Sequence, residues 1–589
     1  GVTPSNKVEN EPPTIKPKKE DTQKDPTINI DGKTALLGDK VYYRVHIDAS
    51  RLTDTAYKVW RLGMTDDYDE EYLTLDAKHV EILDETGRDR TGEFNIQDKD
   101  GVLYTFARTV DTMIPATGET VPGDPQPDDL KAYSEKSDKD YDPLKDPSID
   151  QSLLGHTYQV VMPMTVTKVK DGHTVENTAT QVTNDRRDKT NTVSNPLKEI
   201  NPKKDVTVKV GGDSIDGKSV YLNHTFLYRL DSSILPPDRA YQTVTDWGGT
   251  DQLTTEYDQY LGNWAVYASR DLYRGGQVLA ARGEKIAGSG FDSSKFGGNL
   301  FTVDADDNGK VTADATQAYL DLVSADNEHE AGWVLYLQCK RIAVADEVPN
   351  TWTETINGQP RESNKVVTKT PDMTPSIHLE KVDTPTLKQE GQEQADRDDS
   401  KQALKMDADS IGITFIITNT SKTDPATGDG AWFKASDLDL ADSTIVGDAH
   451  VDMDSLAYPA DWDTLVLKPG ESVSVTGTLK GVREGDTHTD RAIVTGTPLV
   501  ECAPSNGDPF NDESGDGIDP EYSTGDVTEI DGKQLCADTQ VTSNTDDWNG
   551  YRAKPLASTG TAVLGLAGGA LAVLLAGGSL LVFRKRHRA

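Results

Sequence analysis

Ile30-Asp31-Gly32-Lys33-Thr34, followed by Tyr43-Arg44-Val45, returns without a gap as Ile215-Asp216-Gly217-Lys218-Ser219, followed by Tyr228-Arg229-Leu230. A repeat on this scale means two successive modules of about 175 to 185 residues. In each copy Asp-Gly predicts a hairpin turn, and the alternation behind it predicts a strand. Trp333, Leu335, Leu337 and Cys339 alternate with Val334, Tyr336, Gln338 and Lys340, a strand with one strongly apolar face. Short alternating runs, frequent turns and few helical patterns predict an all-β chain of tandem immunoglobulin-like β-sandwich domains. Ile377-His378-Leu379-Glu380-Lys381, Ile413 to Ile417 and Val473 to Gly477 are spaced like strands of a smaller third sandwich.

The chain carries 99 acidic and 61 basic residues, a net charge of -38, so it should repel nucleic acid and stay soluble by self-repulsion. Its hydrophobic fraction of 35% suits polar-surfaced β modules better than a large enzyme core. Residues 1–22 hold four prolines and no periodicity and read as a linker. The expected domains are then 23–199, 200–373 and 374–553. From Thr561 to Phe583 runs an apolar stretch, followed by the basic tail 584–589. At about 1.5 Å per residue it matches a hydrocarbon core of about 30 Å, which predicts one C-terminal transmembrane helix with the tail inside. Export without a leader or initiator Met implies that Gly1 begins a fragment of a longer precursor whose N-terminal head is missing.

Immediately before that stretch, within 554–560, stand Leu556, Ala557, Ser558, Thr559 and Gly560. Pentapeptide, span and positive tail in this order resemble the cell-wall sorting signal of Gram-positive surface proteins. The resemblance implies that a sortase cuts between Thr559 and Gly560 and transfers the chain to a peptidoglycan amine. Ala557, where the common motif has Pro, resembles the LAxTG variant of high-GC actinobacteria. Membrane contact through the helix would precede sorting.

Pro202 to Val208, Tyr336 to Ala343, Asn350-Thr351-Trp352 and Ser363 to Val366 resemble, in order, the C-terminal domains of the streptococcal antigen I/II adhesins. In that family each domain is a variant immunoglobulin sandwich cross-linked by a spontaneous Lys–Asn isopeptide bond promoted by an Asp. Carried over, the resemblance implies Lys204, Asp246 and Asn350 in the second module and Lys24, Asp66 and Asn177 in the first. Lysine and aspartate are equally far apart in both sets. Lys203, Asp67, Asn191 and Asn195 remain neighbouring alternatives. The chemistry needs a desolvated, neutral amine and a protonated carboxyl that shuttles protons as ammonia leaves. The third module resembles the Ig-like repeats of actinobacterial surface proteins through Thr414 to Thr420, Leu467 to Glu471 and His488 to Gly496.

Lys381 and Asn544 offer a weaker candidate for a third link. Cys502 and Cys536 share one module of an exported chain and are candidates for a disulfide; Cys339 shares an apolar face and is expected to be a buried free thiol. Asp304 to Gly309 resembles half of a structural calcium loop, yet Asn308-Gly309 alone predicts a hairpin. The acidic run Asp508 to Glu521 reads as a solvated loop with the same calcium alternative. The ten histidines show no metal-ligand spacing, and no hydrolase or phosphate-binding motif occurs, so no other cofactor and no enzyme is expected. The expectation is a peptidoglycan-anchored adhesin stalk whose missing head meets host glycoproteins or other bacteria. A sortase-built pilus shaft, or the anchor of a surface enzyme whose catalytic domain is missing, are the rival readings.

Overall fold

The computed structural model describes residues 13–111, 127–142, 146, 148–384, 397–503, 510 and 527–555. The pentapeptide 556–560 that is expected to be a sorting signal, the apolar stretch and almost all of the acidic run lie outside these residues. Among the described residues no helix is long and apolar enough to cross a membrane. The chain divides into two units, one of 1–375 with 421–431 and 498–539, the other of 376–420, 432–497 and 540–589. The expected third domain is therefore not one continuous segment, since two of its stretches belong to the first unit.

The first module is two facing antiparallel sheets. One runs Lys18–Thr22, Lys40–Asp48, Thr157–Val166, Leu73–Leu75, and the other Arg186–Lys189, Ala179–Thr183, Leu62–Asp67, Val102–Ala107, Phe94–Lys99. Val41, Tyr43, Val45 and Ile47 alternate into the core against Leu62, Met64, Val160 and Met162, the two-residue period of a strand with one face buried. The second module repeats this plan. Lys203–Thr207, Thr225–Asp231, Trp333–Arg341, Asp258–Ala268 and Lys285–Gly288 face Phe301–Ala305, Lys310–Ala315, Trp247–Gln252, Trp352–Ile356 and Gln359–Glu362. Its core centres on Trp247, Trp333 and Trp352, with Trp333 centroids 6.1 and 5.8 Å from the other two.

Three expectations change here. Residues 18–22 are a strand, because Lys19, Asp21 and Thr22 are buried against Lys40–Asp48 and the prolines lie outside them. The linker therefore ends earlier than residue 22. The strand Trp333–Arg341 is buried along its whole length, since Leu227, Val334 and Tyr336 form a second small cluster on its other face. The Asp-Gly turns do form, with Lys33 N–H donating to Ile30 O and Lys218 N–H to Ile215 O, but they do not close hairpins. Instead Gly32 N–H donates to Ser194 O while Asp31 accepts from Ser194 N–H, and Gly217 and Asp216 do the same with Val367. The turn thus docks an early loop on a late strand. Asn308-Gly309 does turn a hairpin between Phe301–Ala305 and Lys310–Ala315, with Asp306 accepting from the N–H groups of Asn308 and Lys310.

The two modules of the first unit exchange core residues. Leu36 packs in the second core and Ala240 in the first, while Thr34 pairs with Arg239 and Tyr241 Oη donates to Lys40 O. The second unit is a smaller sandwich. Ile377–Thr384, Ser410–Asn419, Ser472–Lys480 and His450–Val451 form one sheet; Leu404–Lys405, Asp546–Tyr551, Thr487–Gly496 and Asp439–Val446 form the other. Leu379, Phe415, Val475, Val494 and Trp548 fill the space between them.

Candidate functional site

In each module of the first unit a buried lysine on the first strand is paired with an aspartate. On Lys18–Thr22 alternate side chains point inward, and Lys19 is only 1% exposed, its Nζ donating to Asp66 Oδ2. On Lys203–Thr207 the same step buries Lys204, whose Nζ donates to Asp251 Oδ2. In both modules 47 residues separate the pair. Each ammonium also lies 4.6 Å from an aromatic centroid, Tyr43 in the first module and Tyr228 in the second. Burial pulls both lysines below the usual amine range, against the opposing pull of the paired aspartate.

Sheet register brings the asparagines to the same place. Ala179 stands opposite Asp66 and Trp352 opposite Asp251, and Asn177 and Asn350 each lie two residues earlier. Across the adjoining ladder Asn177 faces Val193 and Asn350 faces Val366. Two residues before those valines, Asn191 and Asn364 clamp the lysine backbone. Lys19 N–H donates to Asn191 Oδ1 and Asn191 Nδ2 returns to Lys19 O, each at 2.9 Å, and Asn364 holds Lys204 in the same way. Asn177 and Asn350 are buried, yet neither carboxamide has a hydrogen-bond partner for its oxygen or its nitrogen. One oxygen each of Asp66 and Asp251 is also without one. A buried carboxamide with four unmet bonds is costly, and here it occurs twice at equivalent positions. A desolvated amine, a carboxyl touching it and an unpartnered carboxamide are the groups that an amine-for-amide exchange requires.

Of the six residues expected from the sequence, Asp66, Asn177, Lys204 and Asn350 occupy this arrangement, and Lys24 and Asp246 do not. Lys24 is exposed in the loop after the first strand, where only its carbonyl is used, by Arg44. Asp246 caps a turn, accepting from Gly358 N–H and from the Thr245 hydroxyl. Lys19 and Asp251 take their places. The signal was present in paired motifs: Pro17-Lys18-Lys19 matches Pro202-Lys203-Lys204, and Gly63-Met64-Thr65-Asp66 matches Gly248-Gly249-Thr250-Asp251. Gly63 and Gly248 allow close backbone approach, since a Cβ would lie 2.2 Å from Thr105 O or 2.4 Å from Ala313 O. Asn195, another alternative, holds the Asp-Gly turn through Ile30 O and Lys33 O.

The weaker candidates also find their places. Asn544 clamps the Leu379 backbone, as Asn191 and Asn364 clamp theirs, so its carboxamide is committed and not offered to Lys381. Cys502 and Cys536 are bonded, with Cα atoms 5.0 Å apart. Cys339 is a buried free thiol that burial pushes well above the usual range. Among the described residues no cluster of His, Cys, Asp or Glu could hold a metal ion.

Asp21, where the second module has Val206, is fully buried, and burial raises it to about 7 against the opposing pull of Asn195 and Lys19. Its folded value lies above its unfolded value, so the native state holds the proton longer. Stability is complete below about pH 4, falls as pH rises towards 7, and is flat beyond, a loss of order 4 kcal/mol. Asp21→Val should therefore raise the melting temperature of the first module at pH 8 and remove its decline between pH 4 and 7. Thermal melts at both pH values check this.

Residues 17–197 match the family described as cell surface antigen I/II C2 terminal domain, and residues 201–371 match cell surface antigen C-terminus. The two repeated modules are thus a tandem pair of cell-surface antigen domains. More particularly, they belong to the C-terminal domains of the antigen I/II family. The aggregation substance of Enterococcus faecalis is 31% identical over 324 residues, covering 54% of this chain and 21% of that protein. The chain therefore spans about a fifth of that relative's length. By structure it is similar to the C-terminal domain of the Streptococcus pyogenes antigen I/II-family protein AspA, with 22% identity, 60% of this chain and 99% of that one covered, and a TM-score of 0.45. The C-terminal domain of Streptococcus agalactiae BspA gives 19% identity, the same coverage and a TM-score of 0.43.

Proposed function

We propose that this chain is the wall-proximal stalk of a Gram-positive surface adhesin, its first two modules locked by Lys19–Asn177 and Lys204–Asn350 isopeptide bonds. The observation that carries this reading is the repeated site: a buried Lys–Asp pair with an unpartnered Asn carboxamide in each of two modules. Proton transfer from lysine to aspartate leaves a neutral amine and a protonated acid. The amine nitrogen attacks the Asn Cγ, the new C–N bond forms, and the old carboxamide nitrogen leaves as ammonia with a proton relayed by the aspartate. This is self-modification in a single turnover, not enzyme catalysis. Each link joins a module's first strand to a late one, so a pulling force crosses the sandwich through a covalent bond instead of peeling strands apart.

Localisation at the cell surface follows from the antigen I/II family, and an adhesive role is supported by the relative named an aggregation substance. Sortase would attach Thr559 to peptidoglycan, and a head N-terminal to residue 1 would meet host glycoproteins or neighbouring bacteria. In cells, Thr559→Ala should move nearly all of the protein from the muralytic-enzyme-released wall fraction to the membrane fraction. An unchanged wall fraction would overturn the anchoring, and an SDS-resistant ladder that disappears with Thr559→Ala would favour a pilus shaft.

A further inference from the structure

The second unit contains its own version of the site, displaced by one pleat. The clamp gives the alignment. Ala179 N–H donates to Thr190, Trp352 N–H to Ser363 and Val494 N–H to Ser543, and in each case the next residue is the clamping asparagine. Positions equivalent to Lys19, Asp66 and Asn177 are then Leu379, Leu440 and Ala492, which are apolar. Two residues along the same faces stand Lys381, Asp442 and Asp490. The offset within the trio is retained: Asp442 pairs with Ala492, and Asp490 lies two residues earlier, as Asn177 and Asn350 do.

All three side chains are almost completely buried, at 0%, 2% and 0% exposure. Lys381 Nζ donates to Asp442 Oδ2 and lies 2.6 Å from Asp490 Oδ1, with the Phe415 centroid 5.4 Å away. His488 Nε2 is 3.2 Å from the other oxygen of Asp490, and Asp546 accepts from Lys381 N–H. Two carboxyls on one ammonium leave an excess negative charge in the core, which favours a proton on one of them. Burial raises Asp442 to about 6. The asparagine's place in the trio is taken by the Asp490 carboxyl group, in contact range of the amine.

We propose that Lys381 and Asp490 form a third isopeptide bond, a Lys–Asp amide, with Asp442 as the proton carrier. The Lys381 nitrogen attacks Asp490 Cγ, a C–N bond forms, a C–O bond breaks, and the hydroxyl leaves as water with a proton passed through Asp442. Nothing is oxidised or reduced. The link would join the first strand of the unit, Ile377–Thr384, to Thr487–Gly496. It stands on this unit alone and does not depend on the Lys–Asn links of the first two modules.

The test is peptide mapping of the whole recombinant chain by tandem mass spectrometry. A branched peptide joining the Lys381 and Asp490 strands, lighter than its two parts by one water, about 18 Da, is expected. Asp490→Asn provides a second measurement. Its product is the same amide, so the variant should lose ammonia, about 17 Da, and end with a branched peptide of identical mass. Asp442→Ala should leave linear peptides at least tenfold in excess. Linear peptides carrying an unmodified Lys381 in the folded wild-type protein would overturn the proposal, as would a branch at Asp442.

Discussion

Replacing Lys19 and Lys204 together by methionine should raise the mass of the recombinant ectodomain, relative to formula, by the two ammonia molecules that the wild type has lost, about 17 Da each. A link that closes about 150 residues stabilises a sandwich by roughly 5 kcal/mol through the entropy of its unfolded chain. For modules of this size that is a fall of about 10 to 20 °C in melting temperature. Met keeps most of the buried volume and removes the charge, so the drop reports the link more than a cavity. Native proteolysis should reveal the same change, since an unlinked module exposes cleavable chain whenever it opens. A single Lys204→Met should remove one ammonia loss and leave the other. The assignment is wrong if the wild-type mass equals its formula mass after allowing for the Cys502–Cys536 disulfide.

A larger effect is expected from Asp251→Ala, although it leaves both bonding partners in place. Without the carboxyl no group relays the proton, so Lys204 and Asn350 should remain unlinked and the mass loss of that module should vanish. The amine is then left in the core without its counter-charge, and removing one member of a buried pair costs a further 3 to 5 kcal/mol or so. Asp251→Ala should therefore melt below Lys204→Met, by more than the loss of the small carboxylate volume accounts for. The deficit should narrow as pH rises. Lys204 has a folded value below its unfolded one, so the unfolded state binds more protons between the two, and stability increases with pH through that window. Melts of the two variants at pH 7 and pH 9.5, with intact masses, check both parts. Equal melting at both pH values would show that Asp251 does not serve the lysine.

Much of the site was legible because the modules repeat. Asp66, Asn177, Lys204 and Asn350 stand in motifs that recur, and the residue types needed for the exchange are a short list. Lys19 is hard to find in the sequence because the prolines up to Pro17 make the start of the chain read as linker, and they conceal that Lys18–Thr22 alternates like Lys203–Thr207. Asp246 stands as far from Lys204 as Asp66 does from Lys24, so the two misplaced residues support each other. With Lys19 and Asp251 the spacing is again equal, which shows how weak a check equal spacing is when both ends can shift.

The third trio was hidden for a different reason. Asn544 was the natural partner for a lysine near the start of that module, yet its carboxamide is used by the Leu379 backbone. Asp442 and Asp490 are two among 99 acidic residues, and no local feature marks them as buried. From its order of residues alone, this chain determines two repeated β modules and a third sandwich, because alternation, turns and repeats are local. Which lysine faces which carboxyl was decided only by the tertiary structure. A shift of one residue turns a side chain from core to solvent, and register is set by ladders and clamps between strands far apart in the chain.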